Sequence, residues 1–453
     1  MGYDISDYHD IHPPYGTVAD VDDLIAELKK REMKLVLDLV INHTSNEHPW
    51  FQESRSSKTS PKRDWYIWRP ATYDSVGVRH PPCNWRAAFG GSVWEWDEAT
   101  EEYYLHYWVP EQPGDYLTNP DMRDALWDMM KFWLDKGCAG YRMDVIGRIS
   151  KDLNFPDALI TDPGSPWQPR HPNRKWLGPR VHEFVREMYD KVLSKYDILT
   201  VGELGYPLKD ILEFVIPSRR ELQMAFSFDH VRIGLPTGDR SQYQDWTLTE
   251  FKKIMTGWQN GLQDAGAWHA LYLENHDQPR SVSRFTNDAA EWREACAKLL
   301  AMMHCTMWGT VYIYEGEEIG MINIPTTWPL DEWKDVATQN RIAEIRSRGV
   351  DIEKLTKITF GLARDNARTP MQWDATTHAG FTNGTSWMRV NDDYKMYNVV
   401  AQQNDNASVL ALWKDMLALR KREEDVLATD PQLPEMISSI FADVRILQRA
   451  LAE

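Results

Sequence analysis

The segment Ala139-Gly140-Tyr141-Arg142-Met143-Asp144-Val145 constrains this chain more than any other. It reads as a short strand, Gly140 to Met143, that ends on a carboxylate, with Lys136-Gly137 before it as the end of a helix. An acid at the C-terminal end of a strand points into the mouth of a parallel barrel, where catalytic groups sit. Two further apolar runs end the same way: Ile198 to Gly202 on Glu203, and Ala270 to Leu273 on Glu274-Asn275-His276-Asp277. One acid after a strand is ordinarily a helix cap or a solvated loop residue. Three of them in an alternating β/α chain point to a carboxylate-based hydrolase.

The chain has 453 residues, more than one average domain, and can bury a large core. Its net charge of −17 argues against nucleic acid or an anionic membrane as partner, since both are bound through basic patches. The 21 Trp and 19 Tyr fit carbohydrate stacking and fit large core side chains equally. The four cysteines, Cys83, Cys138, Cys296 and Cys305, show no zinc-ligand spacing, and Cys138 and Cys296 read as buried free thiols. There is no signal peptide and no apolar run long enough to span a membrane, so a cytoplasmic protein is expected. Secretion stays open because the N-terminus reads as incomplete. Asn-x-Ser/Thr triplets at Asn42, Asn383 and Asn406 carry little weight.

Along the chain, Val18 to Lys30 reads as an amphipathic helix with Val21, Leu24, Ile25 and Leu28 on one face. Lys34 to Ile41 reads as a buried strand. His43 to about Leu117 is long, aromatic and rich in Pro, Gly and Trp, the mark of a functional excursion, with a short strand at Glu102 to Trp108. Helices are expected at Asp121 to Leu134, Gly178 to Ser194, Leu248 to Asn260, Glu291 to Met303 and around Val409 to Leu419. Strands are expected at Gln223 to Phe228 and Val311 to Tyr314. Pro156 to Trp176 and Ile324 to Asp374 read as further excursions.

GYRMDV, TVGEL and LENHDQPR, with DLVINHTS upstream, resemble the four signature segments of glycoside hydrolase family 13. NARTPMQWD (Asn366 to Asp374) and YIYEGEEIGM (Tyr312 to Met321) are similar to its α-glucosidase and oligo-1,6-glucosidase branch, fungal or bacterial. The resemblance runs from Met1 to about Val426. It implies a TIM (β/α)8-type barrel with a small domain inserted after the third strand. The opening loop then follows the family's second strand, so the barrel is expected to be incomplete, lacking its first two strands. The implied organisation is 1–42 and 119–426 for the barrel, 43–118 for the inserted domain, and 427–453 as a tail with a short helix at Met436 to Ala452 in place of a C-terminal β-domain. An incomplete barrel would leave Leu35–Leu39 and Val311–Tyr314 as facing edges and weaken the isolated chain.

The resemblance also implies roles. Asp144 matches the nucleophile, Glu203 the acid and later base, and Asp277 the acid that grips sugar hydroxyls and supports the transition state. Arg142 shares the strand face of Asp144 and would hold it ionised at neutral pH. His43 and His276 match histidines that hydrogen-bond glucose. Asp4 and Arg368 match a clamp on the 4-hydroxyl of the terminal glucose, which makes such an enzyme exo-acting. Val145, next to the nucleophile, goes with α-1,6 bonds in this branch, where Thr or Ala goes with α-1,4. Asp38 is either a satisfied buried acid or a contact residue, and Tyr3 and Phe89 are pocket walls or packing. Two departures stand out: Gln112-Pro113-Gly114-Asp115-Tyr116 replaces the usual QPDLN, and Thr286 replaces a glycine.

No metal and no cofactor are expected, the family's metal loop lying outside this chain. The expected partner is a small oligosaccharide, with the protein acting as a monomer. Two other readings stand beside the hydrolase: an inactive, sugar-binding relative, and an isomerase of the sucrose/trehalulose type that returns glucose to fructose.

Overall fold

Gly140 opens the central strand with φ 152°, and a Cβ there would lie 2.0 Å from the Leu199 carbonyl oxygen. Only glycine fits so close to a neighbouring strand. The computed structural model describes residues 2–115, 117–169, 178–235, 243–347 and 360–424. The tail 427–453 with its expected helix, and Tyr116, lie outside them.

The described residues form two compact units, Met1–Gly205 with Lys209–Ala225, and Tyr206–Leu208 with Phe226–Glu453. In the first, the Gly140–Met143 strand pairs in parallel with Leu37–Leu39 on one side and Leu199–Glu203 on the other. The register sets Arg142 opposite both Asp38 and Val201. The ladder continues past the strand: Asp144 N–H donates to the Leu39 carbonyl at 2.9 Å. Both acid-bearing strands are thus held at their C-terminal ends by backbone bonds.

The Pro120–Asp135 helix covers this sheet. Asn119 caps it and Pro120 starts it, and Met122, Leu126, Met129, Met130 and Trp133 are buried as the periodicity requires. The Val18–Lys30 helix has the expected bounds and a capping box, Thr17 with Asp20. None of its residues is buried, however, and Leu24 is 46% exposed. Val21, Ile25 and Leu28 are half-buried, and the cap and the Lys136–Asp22 ion pair at 2.9 Å add to what this face supplies.

Within 43–118 a small antiparallel sheet forms from Trp68–Arg69, Glu102–Leu105 and Trp94–Asp97. Its core gathers Ile67, Trp85, Val93, Trp94, Tyr103 and Leu105. Phe155 and Ala158 join that core, so part of the Pro-rich excursion packs onto the aromatic one.

In the second unit, Trp268–Leu271 and Thr310–Val311 pair in parallel, with Ala270 opposite Thr310. The strand before Asp277 lies two residues earlier than the sequence suggests: it runs Trp268–Leu271, and Tyr272 to Asp277 form the loop beyond it. The Val311 to Tyr314 strand shrinks to Thr310–Val311. Helices Leu248–Asp264, Arg293–Thr306 and Val409–Arg422 surround the pair. Arg420 donates to the carbonyls of Cys305 and Met307, 2.7 Å each, and so closes the C-terminal end of the Arg293–Thr306 helix. Among the described residues the helices Pro49–Ser56, Leu208–Val215 and Val336–Ser347, and the short Ser281–Phe285 and Val399–Gln403, escaped the sequence reading. No helix among the described residues is long and apolar enough to cross a membrane.

Candidate active site

Arg142 organises the first unit's acids. Its Nη1 donates to Asp144 Oδ1 at 2.6 Å and its Nη2 donates to Glu203 Oε2 at 2.6 Å. One guanidinium fork therefore clamps both candidate catalytic carboxyls, a geometry that lysine could not supply. Asp38 Oδ1 lies 3.3 Å from the same Nη1. Asp38 is not a buried acid: its side chain is 53% exposed, and it completes the ring of carboxylates around Arg142. Burial by itself would lower the Arg142 pKa, but Glu203, Tyr3, Asp144 and Asp38 raise it, so the guanidinium stays charged.

Arg142 pulls Asp144 toward the ionised form as expected, but it does not act alone: burial first, and then the Glu203 charge, push the Asp144 carboxyl well above the usual range. Two acids that share one cation in a dry site retain one proton between them, and that proton belongs to the pair. The arrangement provides one carboxylate and one carboxylic acid at once, as glycosidic cleavage requires.

Val145 follows Asp144 with φ 37° and ψ 38°. A β-branched residue in the left-handed region is strained, at about 1–3 kcal/mol, and such strain gathers where function demands a fixed backbone. It turns the chain from the strand into the Ile146–Arg148 turn.

His43 is buried and both ring nitrogens are engaged: Nδ1 is 3.2 Å from Asn42 Nδ2, and Nε2 is 3.0 Å from the Tyr3 carbonyl. It therefore fixes the N-terminal loop that carries Tyr3 and Asp4. The Tyr3 ring lies over the Arg142 guanidinium, 5.5 Å away. Burial, with Lys151 nearby, lowers the His43 pKa to about 4, so the ring is neutral. Lys151 is itself buried, and its Nζ donates to the Asn42 and Asp115 carbonyls at 3.2 and 3.0 Å and to Asn42 Oδ1 at 3.1 Å. Asp115, from the divergent QPGDY segment, is fully buried there, and burial raises its pKa despite Lys151.

The second unit carries its own acid cluster. Arg368 Nη2 donates to Asp277 Oδ1 at 2.7 Å, and its Nε donates to the His276 carbonyl at 2.9 Å. Arg364 Nη1 donates to the same Asp277 oxygen at 3.1 Å. The His276 ring stands beside Asp277, Nε2 to Oδ2 at 3.6 Å. Burial tends to raise the Asp277 pKa, but His276, Arg364 and Arg368 outweigh it and hold the carboxyl ionised. His276, Asp277 and Arg368 were singled out in the sequence; Arg364 and its partner Asp335 were not. The signal for Arg364 was the doubled arginine of Arg364-Asp365-Asn366-Ala367-Arg368, which the NARTP motif cuts in two.

Among the described residues no group of His, Cys, Asp and Glu is arranged to hold a metal ion. Residues 1–430 match the family model for the α-amylase catalytic domain. An α-glucosidase of Schizosaccharomyces pombe is 45% identical over 98% of this chain and 78% of its own length. An oligo-1,6-glucosidase of Parageobacillus thermoglucosidasius is 47% identical over 94% of this chain and 74% of its own. An isomaltulose synthase of Erwinia rhapontici, solved in complex with sucrose, superposes with a TM-score of 0.85 at 40% identity, covering 93% of this chain and 74% of that one. The parallel strands, the acids at their ends and these likenesses agree: the chain belongs to the α-amylase family of glycoside hydrolases, with its TIM-barrel-type catalytic fold.

Proposed function

We propose that this protein is an exo-acting, retaining α-glucosidase that releases terminal α-linked glucose from isomaltose, maltose and short oligosaccharides. The observation that carries the reading is the Arg142 fork with Asp144 and Glu203 on its two nitrogens. Two carboxyls held on one guanidinium suit double displacement, whose carboxyls stand about 5–5.5 Å apart, rather than inversion, whose carboxyls stand about 6.5–9.5 Å apart with a water between. In the forward step Asp144 attacks the anomeric carbon while Glu203 gives its proton to the leaving oxygen. Glu203 then takes a proton from water, which displaces Asp144 and frees glucose. Asp277 supports the sugar hydroxyls, with His276 as a further hydroxyl ligand; His43, expected to join them, has both ring nitrogens engaged by Asn42 and the Tyr3 carbonyl and instead holds the Tyr3 loop. Asp4 and Arg368 are assigned to the 4-hydroxyl. Residues 43–118 form the inserted domain of this reading, and the four free cysteines suit a reducing, cytoplasmic setting.

Linkage follows from Val145. In the resembling branch this side chain borders the leaving sugar, where size and polarity filter the approach of the bond, and the left-handed backbone at Val145 supports a fixed side chain there. Purified protein is expected to split isomaltose at least as well as maltose, and Val145→Thr to shift the kcat/KM ratio toward maltose by about tenfold or less, the range one side-chain change in a pocket supplies. Ready cleavage of maltose with almost none of isomaltose would refute the linkage assignment. The likeness to isomaltulose synthase favours a second reading, glucosyl transfer back to fructose. Sucrose as substrate separates the two: hydrolysis yields glucose and fructose in equal amounts, isomerisation a new disaccharide.

A further inference from the structure

Asp335 stands behind the second acid cluster and touches neither expected catalytic carboxylate pair nor solvent. Its side chain is 1% exposed. Arg368 Nη1 donates to its Oδ2 at 2.8 Å, Arg364 Nη2 lies 2.7 Å from the same oxygen, and Arg364 Nε donates to Oδ1 at 3.1 Å. The same two arginines hold Asp277. Each guanidinium thus spans two carboxylates, one facing the reaction and one facing the interior. Arg364 and Asp335 form the buried side of the cluster, and Arg368 and Asp277, each about a third exposed, form its open side.

The interior carboxylate is itself held. Asp365, fully buried, accepts from the Lys334 and Asp335 backbone N–H groups at 2.6 and 2.8 Å through Oδ1, and from Thr338 Oγ1 at 2.7 Å through Oδ2. Asp335 Oδ1 also accepts from the Ala337 N–H at the start of the Val336–Ser347 helix. The chain of contacts runs from the Asp365 cradle, through Asp335, to two guanidiniums, and ends on Asp277. A connected network of this kind fixes geometry better than a lone ion pair does.

We infer that Asp335 is a positioning residue: its negative charge holds Arg364 and Arg368 in place against Asp277 and offsets part of their charge, so that the subsite suits an uncharged glucosyl group. The inference rests on the α-glucosidase reading for its kinetic consequences and on the cluster alone for its electrostatic one. Without the Asp335 charge, Arg364 loses its buried carboxylate partner and Arg368 one of its two, and the guanidinium donors set free can take an anion.

The test compares Asp335→Asn with Asp335→Glu in the whole chain. Asp335→Asn keeps the shape and the acceptor for Ala337 and removes the charge. It is expected to lower kcat/KM for maltose or isomaltose about 30-fold, chiefly through a higher KM, and to become competitively inhibited by inorganic phosphate, to which wild type is indifferent. Asp335→Glu restores the charge and is expected to stay insensitive to phosphate, with kcat/KM within about tenfold of wild type. A folded Asp335→Asn variant with unchanged kcat/KM and no phosphate effect overturns the inference, as does an Asp335→Glu variant no better than Asn. Should Asp335→Asn fail to fold, Asp335→Glu decides alone: a loss beyond a hundredfold, or new phosphate sensitivity, counts against the inference, and a loss under tenfold without phosphate sensitivity supports it. Phosphate binding by calorimetry needs no turnover, so a wild type inactive on glucosides would sink the α-glucosidase reading and leave this test standing.

Discussion

Asp144→Asn is expected to lose about 10⁴-fold or more in kcat/KM on every α-glucoside, some 5 kcal/mol of transition-state stabilisation. Without the carboxylate no glycosyl-enzyme bond forms, whatever the leaving group. Glu203→Gln is expected to behave differently. Its proton matters only where the leaving oxygen needs one, so it should lose about 10²–10⁴-fold on maltose or isomaltose and much less on an aryl glucoside whose phenolate departs unaided. Steady-state kinetics on the two substrate types check both. Equal losses on maltose and aryl glucoside for Glu203→Gln would remove it from the acid role. The pH profile follows from the same pair. Because the pair keeps its shared proton above the ordinary carboxylate range, activity is expected to persist through mildly acidic pH and to fall on the alkaline side as that proton is lost.

Acid is expected to act on stability through buried histidines, with His269 the clearest case. It is buried in the second unit, Gln259 Nε2 lies 2.6 Å from its Nδ1, and burial lowers its pKa to about 3. An unfolded histidine titrates near 6.5. The folded state therefore binds fewer protons than the unfolded one between those values. The stability tied to the neutral ring is complete above about pH 6.5 and drains away as pH falls toward the folded value. At pH 5 the drain is about 2 kcal/mol. His269→Asn keeps an acceptor for Gln259 and cannot be protonated. Its stability relative to wild type is expected to improve by about 2 kcal/mol on going from pH 7 to pH 5, read from urea unfolding at both. A difference that does not change with pH would mean that His269 is not held neutral by burial.

The chemistry was legible where it is local. Arg142 and Asp144 sit two apart on a strand, so their contact follows from the pleat, and Gly140 announces the tight strand pairing that presents them. The Pro120–Asp135 helix was legible because its cap, proline and apolar period agree. What escaped is non-local or short. Asp335 and Arg364 meet across a long excursion, with no period or spacing to betray them. The burial of Asp144 and the reach of Glu203 across the strand pair were not legible, since the sequence reveals only the cationic neighbour. Strand ends were placed too late because apolar runs continue into loops, as after Leu271 and Val311. The apolar face of Val18–Lys30 predicted a helix and not its depth of burial.

The central claim is double displacement by Asp144 and Glu203 at an α-glucosidic bond, and the anomer of the first product tests it most directly. Proton NMR of isomaltose or maltose hydrolysis, followed from the first seconds, is expected to show α-glucose released first and mutarotating slowly to the equilibrium mixture. β-Glucose as the first product would mean a single inverting attack and would contradict the account.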